Sequence, residues 1–320
     1  MARETFEDWI PVEVGSGVIE AVAQTSAIEA YGREETMASD EKDVPRSGDF
    51  DIATVAKGAP YGETTGTNDK VTLNARKMGG VARIAEEDLT DTTVGEATLL
   101  VKQRAAARNM AKFYDNAGLA CSAASNGTTI PFSSLYYQLT NEDTSTGYGA
   151  NDHVLTLTAA NMTTGGTAAY TPFNNLLGLY EDSEWFDEME TLVIASPAFK
   201  KLFRGVLDEN GRPIWVEGVS GNPDMLFGYQ ARWSMGARVS ATATATPTGN
   251  PLMFVGNRQL LIKGMARLSP NITAGNPGYQ LQRAGSGVGF LTDEALLKAA
   301  MRRGFNVGNP YGWAVLEYTG

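Results

Sequence analysis

Apolar residues change their spacing several times along this chain, and each change predicts an element. Residues 1–48 are polar apart from Val18-Ile19-Glu20-Ala21-Val22-Ala23. They run out through Ser39-Asp40-Glu41-Lys42-Asp43-Val44-Pro45-Arg46-Ser47-Gly48, which reads as an extended arm with one short ordered piece. An alternating pattern follows in residues 50–57, with Ile52, Ala53 and Val55, and in residues 70–78, with Val71, Leu73 and Ala75. Both stretches predict strands. Between them residues 58–69 are rich in Gly and Thr, with Pro60 and Tyr61 the only bulky groups, so the unit reads as a long hairpin with a polar tip. After the short extended run Val81-Ala82-Arg83-Ile84, the period changes at Asp91-Thr92-Thr93, whose side chains can cap a helix. A long helix is predicted over residues 93–120, with Val94, Ala97, Val101, Ala105 and Leu100, Ala107, Met110, Tyr114, Ala117 along one side.

Residues 122–172 hold few apolar groups and much Gly, Ser, Thr and Asn, which predicts turns and short strands and marks a boundary between two parts of the chain. A helix over 173–184, a buried strand at Thr191-Leu192-Val193-Ile194-Ala195 and a helix over 197–207 come next, the last with proline suited to its first turn. Asp208-Glu209-Asn210-Gly211 supplies the chemistry of a turn. Residues 226–232 and 252–263 read as strands, the second broken at Gly256-Asn257, with a low-complexity loop at 241–250 between them. Residues 292–303 are ambiguous: Ala-Leu-Leu-Lys-Ala-Ala-Met-Arg-Arg has the propensity of a helix, while its neighbours read as strands. An apolar strand closes the sequence at residues 312–318.

Composition narrows the function more than the fold. With 320 residues, 42% of them hydrophobic, the chain can bury the core of one large domain or two modest ones. The 37 acidic against 26 basic side chains, a formal charge of −11, argue against a protein whose main task is gripping phosphate. The single cysteine, Cys121, excludes an intrachain disulfide framework and multi-cysteine zinc sites, and reads as a small apolar residue at a helix end. The first fourteen residues lack the basic and apolar regions of a secretion signal, and no apolar run approaches the roughly 18–20 residues of a membrane span. The Asn-x-Ser/Thr triplets at Asn126, Asn161 and Asn271 then read as chance matches.

No constellation of reactive groups stands out. The lone histidine, His153, lies in a polar segment without the neighbours of a general base or a nucleophile's partner, so no catalytic role is expected of it. The acids Glu181, Asp182, Glu184, Asp187, Glu188 and Glu190 read as a solvated face, and Asp208-Glu209-Asn210-Gly211 lacks the alternate oxygen ligands of a calcium loop. Gly15-Ser16-Gly17 and Gly285-Ser286-Gly287-Val288-Gly289 lack the strand and helix that a dinucleotide loop needs. Lys102, Arg104, Arg108 and Lys112 flank the long helix's apolar stripe as a solvated or subunit-facing edge. Trp9, Trp185, Trp215, Trp233 and Trp313 are scattered, as core and contact residues are. No catalytic, cofactor or metal residues are therefore assigned, and no enzyme activity is expected.

The succession of arm, long hairpin, long helix, mixed middle and strand-rich end resembles the tailed-bacteriophage major capsid family, whose fold is shared with encapsulins and the herpesvirus capsid floor. The resemblance is carried by Val81-Ala82-Arg83-Ile84-Ala85-Glu86-Glu87-Asp88-Leu89-Thr90-Asp91, which is similar to the lead into the family's spine helix, and by Leu207-Asp208-Glu209-Asn210-Gly211-Arg212-Pro213-Ile214-Trp215. Leu226-Phe227-Gly228-Tyr229-Gln230-Ala231, the run from Met253 to Ile262, and the stretch from Met301 to Ala314 extend it. It implies an α+β capsid fold with an N-terminal arm (1–48), an extended loop (49–78), a peripheral domain with the spine helix (79–121 and 266–320) and an axial domain (122–265). It also implies a strand, against propensity, at 293–303.

The function implied is self-assembly as hexamers and pentamers into an icosahedral shell around double-stranded DNA, without sequence-specific DNA binding, a cofactor or a membrane. The virion capsid would be assembled in the host bacterial cytoplasm, with a scaffolding protein, a portal and a decoration protein as partners. An encapsulin-like compartment around a protein cargo is the alternative. Trp9, Tyr61, Glu63, Lys70, Arg302 and Arg303 are the candidate subunit-interface residues. Some relatives carry a scaffolding segment ahead of the arm; here the arm begins near Met1, which implies its removal or a separate scaffolding protein. Some join subunits by a Lys–Asn isopeptide bond; Lys57 and Lys70 are the lysines placed for it, with no Asn and Glu partners matched.

Overall fold

The computed structural model describes residues 26–46, 52, 54–58, 60–62, 69–87, 95–141, 153–206, 225–266, 278–282 and 293–320. In chain order these form helix α1 (Ala27–Tyr31), strands β1 (Arg33–Met37), β2 (Glu41–Arg46), β3 (Asp69–Asn74) and β4 (Arg76–Ala85), and the long helix α2 (Gly95–Leu119). Helix α3 (Leu135–Asn141), strand β5 (Val154–Thr158), helices α4 (Ala159–Thr164) and α5 (Gly166–Glu181), strand β6 (Thr191–Ala195) and helix α6 (Ala198–Gly205) follow. The remainder is strand: β7 (Met225–Leu226), β8 (Tyr229–Trp233), β9 (Leu252–Asn257), β10 (Leu261–Ala266), β11 (Gly278–Gln282), β12 (Glu294–Val307) and β13 (Trp313–Thr319).

Strand β12 organises the first sheet. One of its edges pairs with β4 along Glu294–Arg303, and the other pairs with β11 and then with β10, which in turn carries β1. This decides the ambiguous segment as strand, as the family resemblance implied and propensity did not. Ala295, Leu297, Ala299 and Met301 alternate onto a buried face, and hydrogen-bonded ladders on both edges outweigh the few tenths of a kcal/mol per residue that propensity offers. The pairing is close: a Cβ added at Gly79 would lie 2.3 Å from the carbonyl oxygen of Ala299.

The second sheet runs β5-β13-β9-β6-β8-β7 and is covered on both faces. Leu192, Ile194, Leu252, Phe254, Trp313 and Val315 enter a core shared with α2, α3 and the first sheet. Their neighbours Val193, Ala195, Met253, Val255, Ala314 and Leu316 enter a second core beneath α5 and α6. A strand buried on both faces needs an unbroken apolar run, which is why Thr191–Ala195 reads so clearly in the sequence. In the shared core Tyr114 of α2 stands edge-on to Phe132 and Phe305 and donates its hydroxyl to the Gly304 carbonyl at 2.9 Å.

Two expectations are corrected. The hairpin is built from β2 and β3, with Val44 opposite Val71, and not from 50–57 with 70–78. Val44, Val71 and Leu73 are buried with Met37 and Ile262, whereas Ile52 is 89% exposed and the described residues 54–57 are neither buried nor in a strand. Residues 122–172 contain more helix than their polarity suggests: α3, α4 and the first turns of α5 all fall there. Ala169, Phe173, Leu176, Leu177 and Tyr180 form the buried stripe of α5, and the Ala168 carbonyl that Pro172 cannot bond is met instead by the Asn161 side chain at 3.2 Å. Strand β10, from 261, belongs to the first sheet, and β13, expected with the peripheral part, lies in the second between β5 and β9.

Candidate functional site

The root of the extended loop is the β2–β3 pair, whose last register is Arg46 opposite Asp69. The Arg46 guanidinium joins the Asp69 carboxylate and also donates to the Gly308 carbonyl at 3.0 Å, which ties the loop's exit to the body of the subunit. One register in, Lys70 Nζ reaches Asp43 at 2.7 Å, and Thr72 Oγ1 donates to the same carboxylate at 2.7 Å. The ammonium and the hydroxyl hold Asp43 below the usual carboxylate range, and Asp43 raises Lys70. Of the candidate interface residues, Lys70 is thus exposed yet bonded within its own chain, and Tyr61 is 85% exposed. Lys57 is exposed in a turn. Trp9 and Glu63 lie outside the described residues, as do Asp91-Thr92-Thr93, the segment 207–215 and Gly285-Ser286-Gly287-Val288-Gly289.

Helix α1 is the first element of the described residues, and it is fastened by a group the sequence reading passed over. Asp115 of α2 is fully buried; its carboxylate accepts from Ser26 Oγ at 2.5 Å, from the main-chain N–H groups of Ala27 at 2.9 Å and Ile28 at 3.3 Å, and from Ser234 Oγ at 2.5 Å. Burial pushes its pKa up, against the pull of these bonds. Asn116 beside it donates to the carbonyls of Gly236 and Arg238 at 3.0 Å and accepts from Ser240 Oγ at 2.7 Å and Thr244 N at 3.0 Å. All four of its bonding positions are used, which fixes the start of the low-complexity loop. The available signal was two polar residues inside the stripe of Tyr114 and Ala117. Two further candidates meet the same region: Arg303 is buried and engages Glu29 of α1, and Arg302 engages Asp40 between β1 and β2. Arg303 therefore lies in the subunit interior and not on its surface.

The residues weighed for chemistry are dispersed. His153 is buried, not part of a polar surface as its neighbours suggested, and its Nδ1 donates to the Trp313 carbonyl at 3.0 Å. Cys121 is buried just past the end of α2, and burial raises its pKa. Glu190 pairs with Arg258, which holds it down to about 2, and Glu181 accepts from the Tyr229 hydroxyl at 2.8 Å. Among the described residues no group of three His, Cys, Asp or Glu is placed to hold a metal ion, and no helix is long and apolar enough to cross a membrane. What converges in space is instead a set of fastenings for helix α1 and for the β2–β3 pair.

A family model described as the phage capsid family matches residues 8–315. Solved structures share the fold: that of Mycobacterium phage Ogopogo at 16% identity and a TM-score of 0.71, over 100% of both chains. Mycobacterium phage Bobi gives 11% identity and 0.71, over 98% of this chain and 97% of that one. The capsid of a native GTA particle gives 14% and 0.69, again over 98% and 97%. A search of curated protein sequences finds no match. With one family model spanning nearly its whole length and the same fold in those structures, the chain belongs to the phage capsid family.

Proposed function

We propose that this chain is the major capsid protein of a tailed bacteriophage, which assembles as hexamers and pentamers into an icosahedral shell around double-stranded DNA. The observation that carries the reading is the extended loop. Its root is packed and bonded, but beyond it Ile52 and Tyr61 stand 89% and 85% exposed, with no core of their own subunit to enter. A two-stranded hairpin is marginal on its own, and apolar groups held away from the body need another surface. A second copy of the chain is the surface a closed shell supplies. The net charge of −11 suits a container that encloses DNA without gripping it. The role is structural and not catalytic. Assembly in the host cytoplasm with a scaffolding protein, a portal and a decoration protein completes the proposal.

Replacing residues 59–68 by a two-residue turn tests it. Because Tyr61 is the only large apolar side chain there, the core loses at most about 2 kcal/mol of burial, and the circular dichroism and melting of the subunit should stay close to the parent's. Closed shells in electron micrographs should fail to form, or fall apart on dilution. A shortened protein whose shells form and survive dilution as the parent's do overturns the loop's role as intersubunit clamp.

A further inference from the structure

On the α2 side of the first sheet, the row that carries Met78 and Met301 continues with Gly80 and Ala299, too small to meet the helix, and then with Ala82 and Leu297, which close its far end. An open slot of about 500 Å³ results, within the roughly 300–1,000 Å³ of ligand-sized pockets, with Ala106, Met110 and Phe113 as its helical wall. A Cβ added at Gly80 would meet nothing within 4 Å. Two cations, Arg76 and Lys102, stand on the slot's rim. No carboxylate among the described residues pairs with either of them, and the Nε of Arg76 is buried without a partner. In a chain with 37 acids against 26 bases, two such cations beside an apolar slot specify an occupant with an apolar anchor and flanking carboxylates.

The sequence contains such a segment outside the described residues. Glu4-Thr5-Phe6-Glu7-Asp8-Trp9-Ile10-Pro11-Val12-Glu13 has four acids around two aromatic rings and no base. Its tether suffices: seventeen residues separate Trp9 from Ser26, a span of up to roughly 60 Å when extended. The comparable stretch from Glu181 to Glu190 is held at both ends and has committed Glu190 to Arg258. Phosphate would satisfy the cations but not the apolar wall. We propose that the slot between α2 and β4 is the docking site for residues 4–13, with Trp9 seated over Gly80 and Glu7 and Asp8 turned to Arg76 and Lys102. The inference extends the shell-subunit reading but does not need it, since docking can be read on unassembled chains.

The test places a photo-crosslinking amino acid at position 9 of the full chain, in nuclease-treated material, and maps its products by mass spectrometry. Products on residues 76–82 or 102–113 are expected, in assembled and concentrated unassembled protein alike. In mixtures of light and heavy chains the isotope pattern names the donating copy, and either origin supports the site. Gly80→Phe, which has room within its own subunit, should keep the melting transition and reduce those products at least tenfold. Arg76→Glu with Lys102→Glu should reduce them likewise, and adding Glu7→Lys with Asp8→Lys should restore them. Products mapping elsewhere, an undiminished yield in Gly80→Phe, or a crosslinker at Tyr61 or Met189 that lands in the slot instead would overturn the assignment. So would protection of Lys102 from acylation that appears only when DNA is present.

Discussion

Truncating Asp115 to Ala should detach the arm's root from the body. The carboxylate is the partner of two main-chain N–H groups, on Ala27 and Ile28, and of two hydroxyls, on Ser26 and Ser234. The hydroxyls can rotate toward other acceptors; the N–H groups cannot, and each orphaned buried donor costs about 1–3 kcal/mol. Asp115→Ala should thus destabilise the subunit by about 2–6 kcal/mol, less what is regained by no longer desolvating a carboxylate, against a total of about 5–15 kcal/mol. Asp115→Asn keeps one acceptor and can donate to Ser234, so it orphans one N–H and should cost about 1–3 kcal/mol. The pH dependence has a definite sign. Because burial raises the folded pKa, the parent's protonated form is favoured in the fold. That contribution is present below the unfolded value, about 3.9, and is lost as pH rises through the folded pKa. The deficit of Asp115→Asn relative to the parent should therefore be greatest in acid and shrink at higher pH. Urea unfolding of dissociated subunits over a pH series, with hydrogen exchange at residues 27–31, measures both. An Asp115→Ala protein with the parent's midpoint and unchanged exchange at 27–31 would refute the reasoning.

Two further outcomes follow from single contacts. His153→Ala removes the bond to the Trp313 carbonyl and should lower stability by about 1–2 kcal/mol in thermal melts, while shells and retained DNA stay as in the parent; loss of shells with a well-folded subunit would contradict it. Gly79→Ala brings a Cβ against the Ala299 carbonyl, so β4 must shift from β12, and the expected result is a lower melting temperature or insoluble protein; an unchanged melt would show that the ladder is looser than described.

Much of this fold was legible because burial leaves a pattern. The double-faced burial of β6 writes itself as five consecutive apolar or near-apolar residues, and the α2 stripe recurs at helical spacing. What was not legible depended on partners distant in sequence. Val44 looks incidental within a polar run until Val71 and Ile262 cover it, and β12 looks helical until β4, β10 and β11 take its hydrogen bonds. The weakness of α5 as a sequence signal has a similar cause, since Pro172 is tolerated only because Asn161 takes up the carbonyl left over. Of the candidate contact residues, Tyr61 announces itself by isolation in a polar loop, whereas Arg303 gave no hint that Glu29 would hold it inside. Asp115 was visible as an anomaly, a charge within an apolar stripe, but its partners at 26–28 and 234 lie 87 to 119 residues away.

The position of β13 has a consequence for the timing of synthesis. It is inserted between β5 and β9, so the second sheet stays in two pieces until residues 313–319 have cleared the ribosome, and both cores, which take Trp313 and Val315 on one side and Ala314 and Leu316 on the other, stay open until then. Closure across some 160 residues of intervening chain makes folding slow. A copy that has not yet placed β13 cannot present a finished subunit surface, so association with other copies waits on this one strand.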